Sequence, residues 1–204
     1  MSTTKYIVNN LTGQTITGDL TINGNIVITG TTNTRPYKVY TALLRQSGSG
    51  DTQNLSSGAV TKGVTYQISG VGFDCTNVGA PNNDDGTYFV ATNNEVPTAY
   101  GSGSLVYNTG APTVIVLENT IGNIWFEYTD IGIYTINCDL FIDNIEKLFL
   151  QSGKPNNASS DVFGYVDLFQ SEGLSVYMTT KDFDTNTLSN GVLSITPIEI
   201  RVYN

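Results

Sequence analysis

Apolar and polar residues alternate along much of this chain of 204 residues, and a period of two predicts strands. Val64-Thr65-Tyr66-Gln67-Ile68 alternates cleanly and Tyr37 to Arg45 less perfectly, while Thr87 to Ala91, Ser104 to Tyr107 and Leu174 to Thr179 read the same way. Ile124 to Tyr128 and Ile133 to Cys138 flank Thr129-Asp130-Ile131-Gly132, the pattern of a hairpin. Val114-Ile115-Val116-Leu117-Glu118 is nearly continuous apolar, which predicts a strand buried on both faces. At the end, Gly191 to Ile195 precedes Ile198 to Tyr203, where Ile198, Ile200 and Val202 are expected inward and Glu199, Arg201 and Tyr203 outward. Phe141, Ile145, Leu148 and Phe149 fit a helical stripe, but in an otherwise β chain 145–151 reads better as a strand. Residues 46–58, 74–86, 92–104 and 181–191 are rich in Ser, Gly, Asn, Asp and Pro, the composition of exposed loops and turns. About eight to ten strands with turns at short intervals favour an all-β, two-sheet sandwich, jelly-roll-like because that is the commonest arrangement of about eight strands.

Ahead of these strands the chain spells one unit twice. Gly18-Asp19-Leu20-Thr21-Ile22-Asn23 is followed by Gly24-Asn25-Ile26-Val27-Ile28-Thr29 and a third glycine, Gly30. Leu20 and Ile22, then Ile26 and Ile28, share one face of an extended chain, and the glycines allow close backbone approach. Two units cannot bury that row alone, since stacked repeats need about three or more to be stable. Identical neighbouring chains would supply the rest, and a closed trimer removes free strand edges. Residues 1–35 are therefore expected to form a short Gly-repeat β stem for attachment and oligomerisation, with Gly18, Leu20, Ile22, Gly24, Ile26, Ile28 and Gly30 as its contacts. Arg35-Pro36 ends it, because proline interrupts a regular ladder, and 36–204 is the sandwich head. The alternative is an ordinary hairpin or an N-terminal strand of the following domain.

Charged residues make up 13% of the chain, against a usual value of about 25%. Disorder does not follow, because 12 Tyr, 8 Phe and frequent Val and Ile supply the aromatic and β-branched residues that disordered chains lack. A net charge of −9 with nine Lys and Arg argues against nucleic acid, whose phosphates need clustered cations, and against an anionic membrane surface. The first ten residues hold no apolar run of signal-peptide length and no later stretch approaches a spanning helix, so cytoplasmic synthesis without membrane insertion is expected. Histidine is absent, which removes Ser-His-Asp and Cys-His nucleophile arrangements and most zinc sites. Cys75 and Cys138 match no metal or redox spacing and are expected as small buried thiols, with a disulfide as the alternative.

Candidate sites are few. Asp74, Asp84 and Asp85, with Asn82 and Asn83, offer oxygen ligands of the kind calcium takes, but the spacing fits no standard calcium loop and these are also ordinary turn residues. No metal and no cofactor is assigned on that basis. Trp125, the sole tryptophan, sits in an apolar strand and reads as core, with its indole N–H bonded internally; exposed, it would instead offer a stacking surface for a sugar ring. Tyr88, Tyr100 and Tyr107 flank the longest polar loops and are the candidate glycan contacts. Glu118, Glu127 and Glu146 lie on strand-like runs and read as outward-facing or interfacial, so no catalytic residue is assigned.

Three segments carry a resemblance. Thr76-Asn77-Val78-Gly79-Ala80-Pro81 with Gly86 to Thr92, then Leu117 to Phe126, then Thr196 to Asn204 resemble a head module recurring in bacteriophage and large-DNA-virus virion proteins. The likeness covers most of 37–204; Cys75 and the Asn-rich stretch 82–85 depart from it. It implies the distal head of a fibre or spike behind a glycine-repeat stem, a place in a virion and no chemistry. The expected function is thus that of a virion structural protein on the particle surface, a homotrimer joined to other virion proteins through its N-terminal segment. Its heads would adhere to the host surface or its glycans by multivalency. Alternatives are a capsid decoration or head-fibre protein without a receptor role and, third, a surface-polysaccharide depolymerase.

Overall fold

The structure, a computed structural model, describes residues 35–46, 48–138, 147–155, 164–170 and 175–203. The expected stem contacts from Gly18 to Gly30, and Phe141, Ile145 and Glu146, lie outside the described residues. The regular structure of the described chain is almost wholly strand: β1 Tyr37–Arg45, β2 Thr52–Leu55, β3 Thr65–Val71, β4 Tyr88–Val90, β5 Ser102–Asn108, β6 Thr113–Asn119, β7 Ile124–Asp130, β8 Ile133–Cys138, β9 Leu148–Ser152, β10 Gly164–Gln170, β11 Ser175–Asp182 and β12 Ser194–Tyr203. One 3-10 turn, Thr76–Val78, interrupts them and closes at Gly79, whose φ of +108° favours glycine.

Three antiparallel sheets of four strands result, ordered β6-β1-β12-β9, β10-β11-β8-β7 and β2-β5-β3-β4. The first two share one core, which makes the architecture sandwich-like. Tyr40, Ala42 and Leu44 of β1 and Ile198 and Ile200 of β12 meet Phe126, Tyr134, Ile136, Val176 and Met178 from β7, β8 and β11. Each such side chain removed from water contributes about 1.5–3 kcal/mol, so strict alternation in these strands fixes their register.

The third sheet has its own small core. Ile68, Phe89 and Leu105 pack not on a second sheet but on Val60, Phe73, Cys75, Val78 and Ala80 from loops and the 3-10 turn. Within it, Gly70 and Gly103 stand directly opposite each other. A Cβ on Gly70 would lie 2.0 Å from the Ser102 carbonyl oxygen, and one on Gly103 equally close to that of Ser69.

Several sequence expectations need correction. There are twelve strands among the described residues, because 46–58 and the segment after 163 each contribute one that composition hides. β2 is polar and exposed, an edge strand that pairs from Thr52↔Asn108 to Leu55↔Leu105. β6 is not buried on both faces: only Val114 is in the core, while Ile115, Val116 and Leu117 are 46%, 44% and 61% exposed. It is the edge strand of its sheet, so its apolar run has no cover on one side. The two C-terminal segments form a single strand through Pro197, and Ile195, with a φ of +52°, is the extra residue where Leu44↔Thr196 gives way to Arg45↔Ser194. Val192 and Leu193 precede that strand as buried core residues. The two cysteines are buried in separate cores with no bridge between them, and burial, reinforced by Asp74, pushes the Cys75 thiol up to about 11. Among the described residues no helix is long and apolar enough to cross a membrane.

Candidate functional site

In β7, Ile124 and Phe126 point into the main core, so Trp125 and Glu127 face outward. β8 does the same with Tyr134 and Ile136 inside and Thr135 and Asn137 outside. Pairing then sets outward side chains in rows: Trp125 beside Asn137 beside Ser175, and Glu127 beside Thr135 beside Tyr177 beside Phe169.

Hydrogen bonds bind the rows together. Asn137 Nδ2 donates to Glu127 Oε2 at 2.5 Å, and Ser175 Oγ donates to Asn137 Oδ1 at 2.7 Å. Tyr177 stacks on Phe169 with ring centroids 5.8 Å apart and planes 13° apart. From the third sheet, Tyr88 of β4 stacks on Trp125 at 5.6 Å and 11°, held there by Asn123 Nδ2 donating to the Tyr88 carbonyl at 2.9 Å. Burial, then the charge of Glu127 and a hydrogen bond donated to it, push the Tyr88 hydroxyl up to about 12, so it remains a neutral donor near pH 7.

Tyr88 and Glu127 also line a cavity of about 190 Å³ between β7 and the third sheet, with Gln67, Tyr107, Asn108 and Thr52 around it. The sequence candidates Tyr88 and Tyr107 thus meet at one place. Tyr100 does not: it packs edge-on to Phe73 at 6.0 Å and donates to the Gly58 carbonyl at 2.8 Å. Trp125 is half-buried rather than core, and its indole N–H, though buried, has no acceptor among the described residues. The alternation that places Phe126 inside is what excludes it. Asn137, Ser175, Tyr177 and Phe169 were missed in the sequence, although the alternation of Ile133 to Cys138 already marks Asn137 as outward.

The acidic candidates do not converge. Asp74 Oδ1 accepts from the Thr76 amide at 3.2 Å and hydroxyl at 2.6 Å, which hold its carboxyl below the usual range, while Asp85 Oδ1 accepts from the Gly70 amide at 2.7 Å. Asp84 donates its amide to Asn82 Oδ1 at 3.0 Å, so all three serve turns. No group of three or more His, Cys, Asp or Glu positioned for a metal exists among the described residues. Glu118 pairs with Arg35 at 2.7 Å.

A second opening, a groove of about 500 Å³, lies between β6 and the segments around Pro81 and Thr92, with aliphatic walls from Val114, Val116 and Ile124. Tyr40 lines it, and the buried Tyr40 hydroxyl has no hydrogen-bond partner.

Flat aromatic faces next to a fixed amide, hydroxyls and a carboxylate suit a hydroxyl-rich ring that stacks on one side and exchanges hydrogen bonds at its rim. No family model, curated protein or solved structure matches this chain.

Proposed function

We propose that this chain is a structural subunit of a virion, a fibre- or spike-type protein whose jelly-roll-like head projects from the particle and adheres to carbohydrate on the host surface. The virion part of the reading rests on the sequence resemblance and the glycine repeat. The adhesive part is carried by one observation: the Tyr88–Trp125 stack beside the hydrogen-bonded row Glu127–Asn137–Ser175. A weak site of this kind gains avidity when three heads, repeated over many spikes, engage together.

Saturation-transfer NMR of the full chain against host-surface glycans tests it. A bound glycan is expected, and Trp125→Ala is expected to weaken binding about tenfold or more, because a central aromatic contact carries a large share of a small interface. Retained β-type circular dichroism would exclude unfolding as the cause. Glycan binding that ignores Trp125→Ala moves the site elsewhere on the head. No binding by the intact chain leaves the capsid-decoration reading in place of adhesion.

A further inference from the structure

The sheet that carries Trp125 carries a second aromatic stack, and strand register fixes how far apart the two stand. Val166 and Leu168 of β10 turn toward the core, so Asp167 and Phe169 face outward. Phe169 pairs with Tyr177 of β11, which pairs with Thr135 of β8. The Phe169 ring is 46% exposed and stacks on Tyr177 at 5.8 Å. Trp125 lies two strands from Tyr177 and one outward position along, with Phe169 one strand further. Strands ~4.8 Å apart with a rise of ~3.4 Å per residue put the backbone of Trp125 ~12 Å from that of Tyr177 and ~16 Å from that of Phe169. Between the stacks stand Glu127, Thr135, Asn137 and Ser175, whose polar groups hold one another: Asn137 bridges Glu127 and Ser175, and the Thr135 hydroxyl lies 3.0 Å from that of Thr129. The charge along this strip is negative, from Glu127 and Asp167. Lys181, the one cation in these four strands, is four positions from Tyr177, ~14 Å along β11.

We propose that the two stacks are the ends of one binding strip, which takes a neutral oligosaccharide chain of about three sugar units lying across β7, β8, β11 and β10. The proposal rests on the carbohydrate reading above and gives it a length and a charge. A single sugar ring covers one aromatic face and stops short of the other, whereas a chain lays one ring against each stack and its middle over the polar strip. The amide, hydroxyl and carboxylate groups of that strip are already fixed by one another, so binding orders few of them. Joining the end contacts in one molecule makes the second contact intramolecular, which raises affinity without a stronger single contact. Glu127 and Asp167 repel a chain that bears carboxylates or sulfates, and Lys181 is too distant along the strand to offset them between the stacks.

Calorimetric titration of the full chain tests this, with single sugars through hexamers of β-1,4-linked glucose, mannose and N-acetylglucosamine, and with trimeric galacturonate as the acidic probe. In at least one neutral series the affinity is expected to rise about tenfold or more from single sugar to trimer and then to level off. The matching acidic trimer is expected to bind about tenfold more weakly or worse. Phe169→Ala is expected to shrink the rise with length about threefold or more while keeping its β-type dichroism, and Val71→Ala, at an exposed position of the third sheet, is expected to keep the full rise. Single sugars that bind as tightly as trimers overturn the extended strip and leave the carbohydrate reading standing at Trp125. A rise with length that Phe169→Ala leaves untouched overturns the second stack as the far end. Galacturonate that binds as tightly as the neutral trimers overturns the charge preference. No binding in any series at any length overturns the carbohydrate reading and this proposal with it.

Discussion

The two outer faces of the sandwich share a core and differ in almost everything else. On the second sheet, Trp125, Glu127, Asn137, Ser175 and Tyr177 are aromatic or hydrogen-bonded to one another. On the first, Ile115, Leu43, Pro197 and Leu117 are aliphatic, and Glu118 and Glu199 are paired with Arg35 and Arg201. A polar side chain fixed by its neighbours holds directional groups ready for a ligand that shares them, whereas an aliphatic row gains only by being covered. The contrast leaves one face with directional groups held in place and the other with an uncovered aliphatic row.

The largest test removes what the faces have in common. Phe126→Ala empties the middle of the shared core, where the ring is fully buried, and is expected to cost about 3–5 kcal/mol in urea unfolding. Amide exchange should accelerate in β1 and β12 as well as in β7 and β8. Protection lost from the second sheet alone would mean that the two faces do not share one cooperative unit.

A smaller effect separates the faces. Asn137→Ala takes one of the hydrogen bonds from Glu127, which keeps that of the Tyr88 hydroxyl, and removes the acceptor of Ser175 Oγ, and is expected to cost about 1–2 kcal/mol. Ile115→Thr keeps a β-branched residue at an exposed position and is expected to stay within about 0.5 kcal/mol in urea unfolding. Equal costs for the two would break the comparison, because the aliphatic row would then be supporting the fold itself.

The smallest effect lies at the groove behind β6. Tyr40→Phe removes a buried hydroxyl that has no partner, so stability at pH 7 should be unchanged or raised by up to about 1 kcal/mol. Burial raises the ionisation of this hydroxyl above the ordinary value near 10. The unfolded tyrosine therefore loses its proton first, and the stability present below about pH 10 falls as pH rises toward the folded value. Urea midpoints at about pH 7 and 10.5 should show a shallower alkaline loss in Tyr40→Phe than in wild type. Tyr134, pushed up to about 12 by burial, keeps part of that loss in both. An unchanged alkaline slope would show that the Tyr40 hydroxyl has no such raised ionisation.

Much of the fold was legible in the residues. Strand β1 occupies Tyr37–Arg45 as read from its alternation, β7 and β8 pair as the expected hairpin, and β12 buries Ile198 and Ile200 with Glu199 and Arg201 on the other side. β2 was not legible, since Thr-Gln-Asn-Leu has the composition of a loop and becomes a strand only because β5 offers it a ladder. Of the candidate site, Tyr88 and Tyr107 were named for lying beside polar loops. Their meeting around one cavity depends on where the third sheet packs against β7.

The sequence by itself determined which residues of a strand share a face, because side chains alternate with a period of two whatever the strand's neighbours are. Only the tertiary structure decided whether that face is covered. Val114 to Glu118 is as apolar as any core strand, yet sheet order puts it at an edge with Ile115 and Leu117 in the open. Trp125 stands in an apolar run, yet the register of β7 turns it out toward Tyr88. Sheet order and register are settled by pairings between residues far apart in the chain, and no local run of residues carries that information.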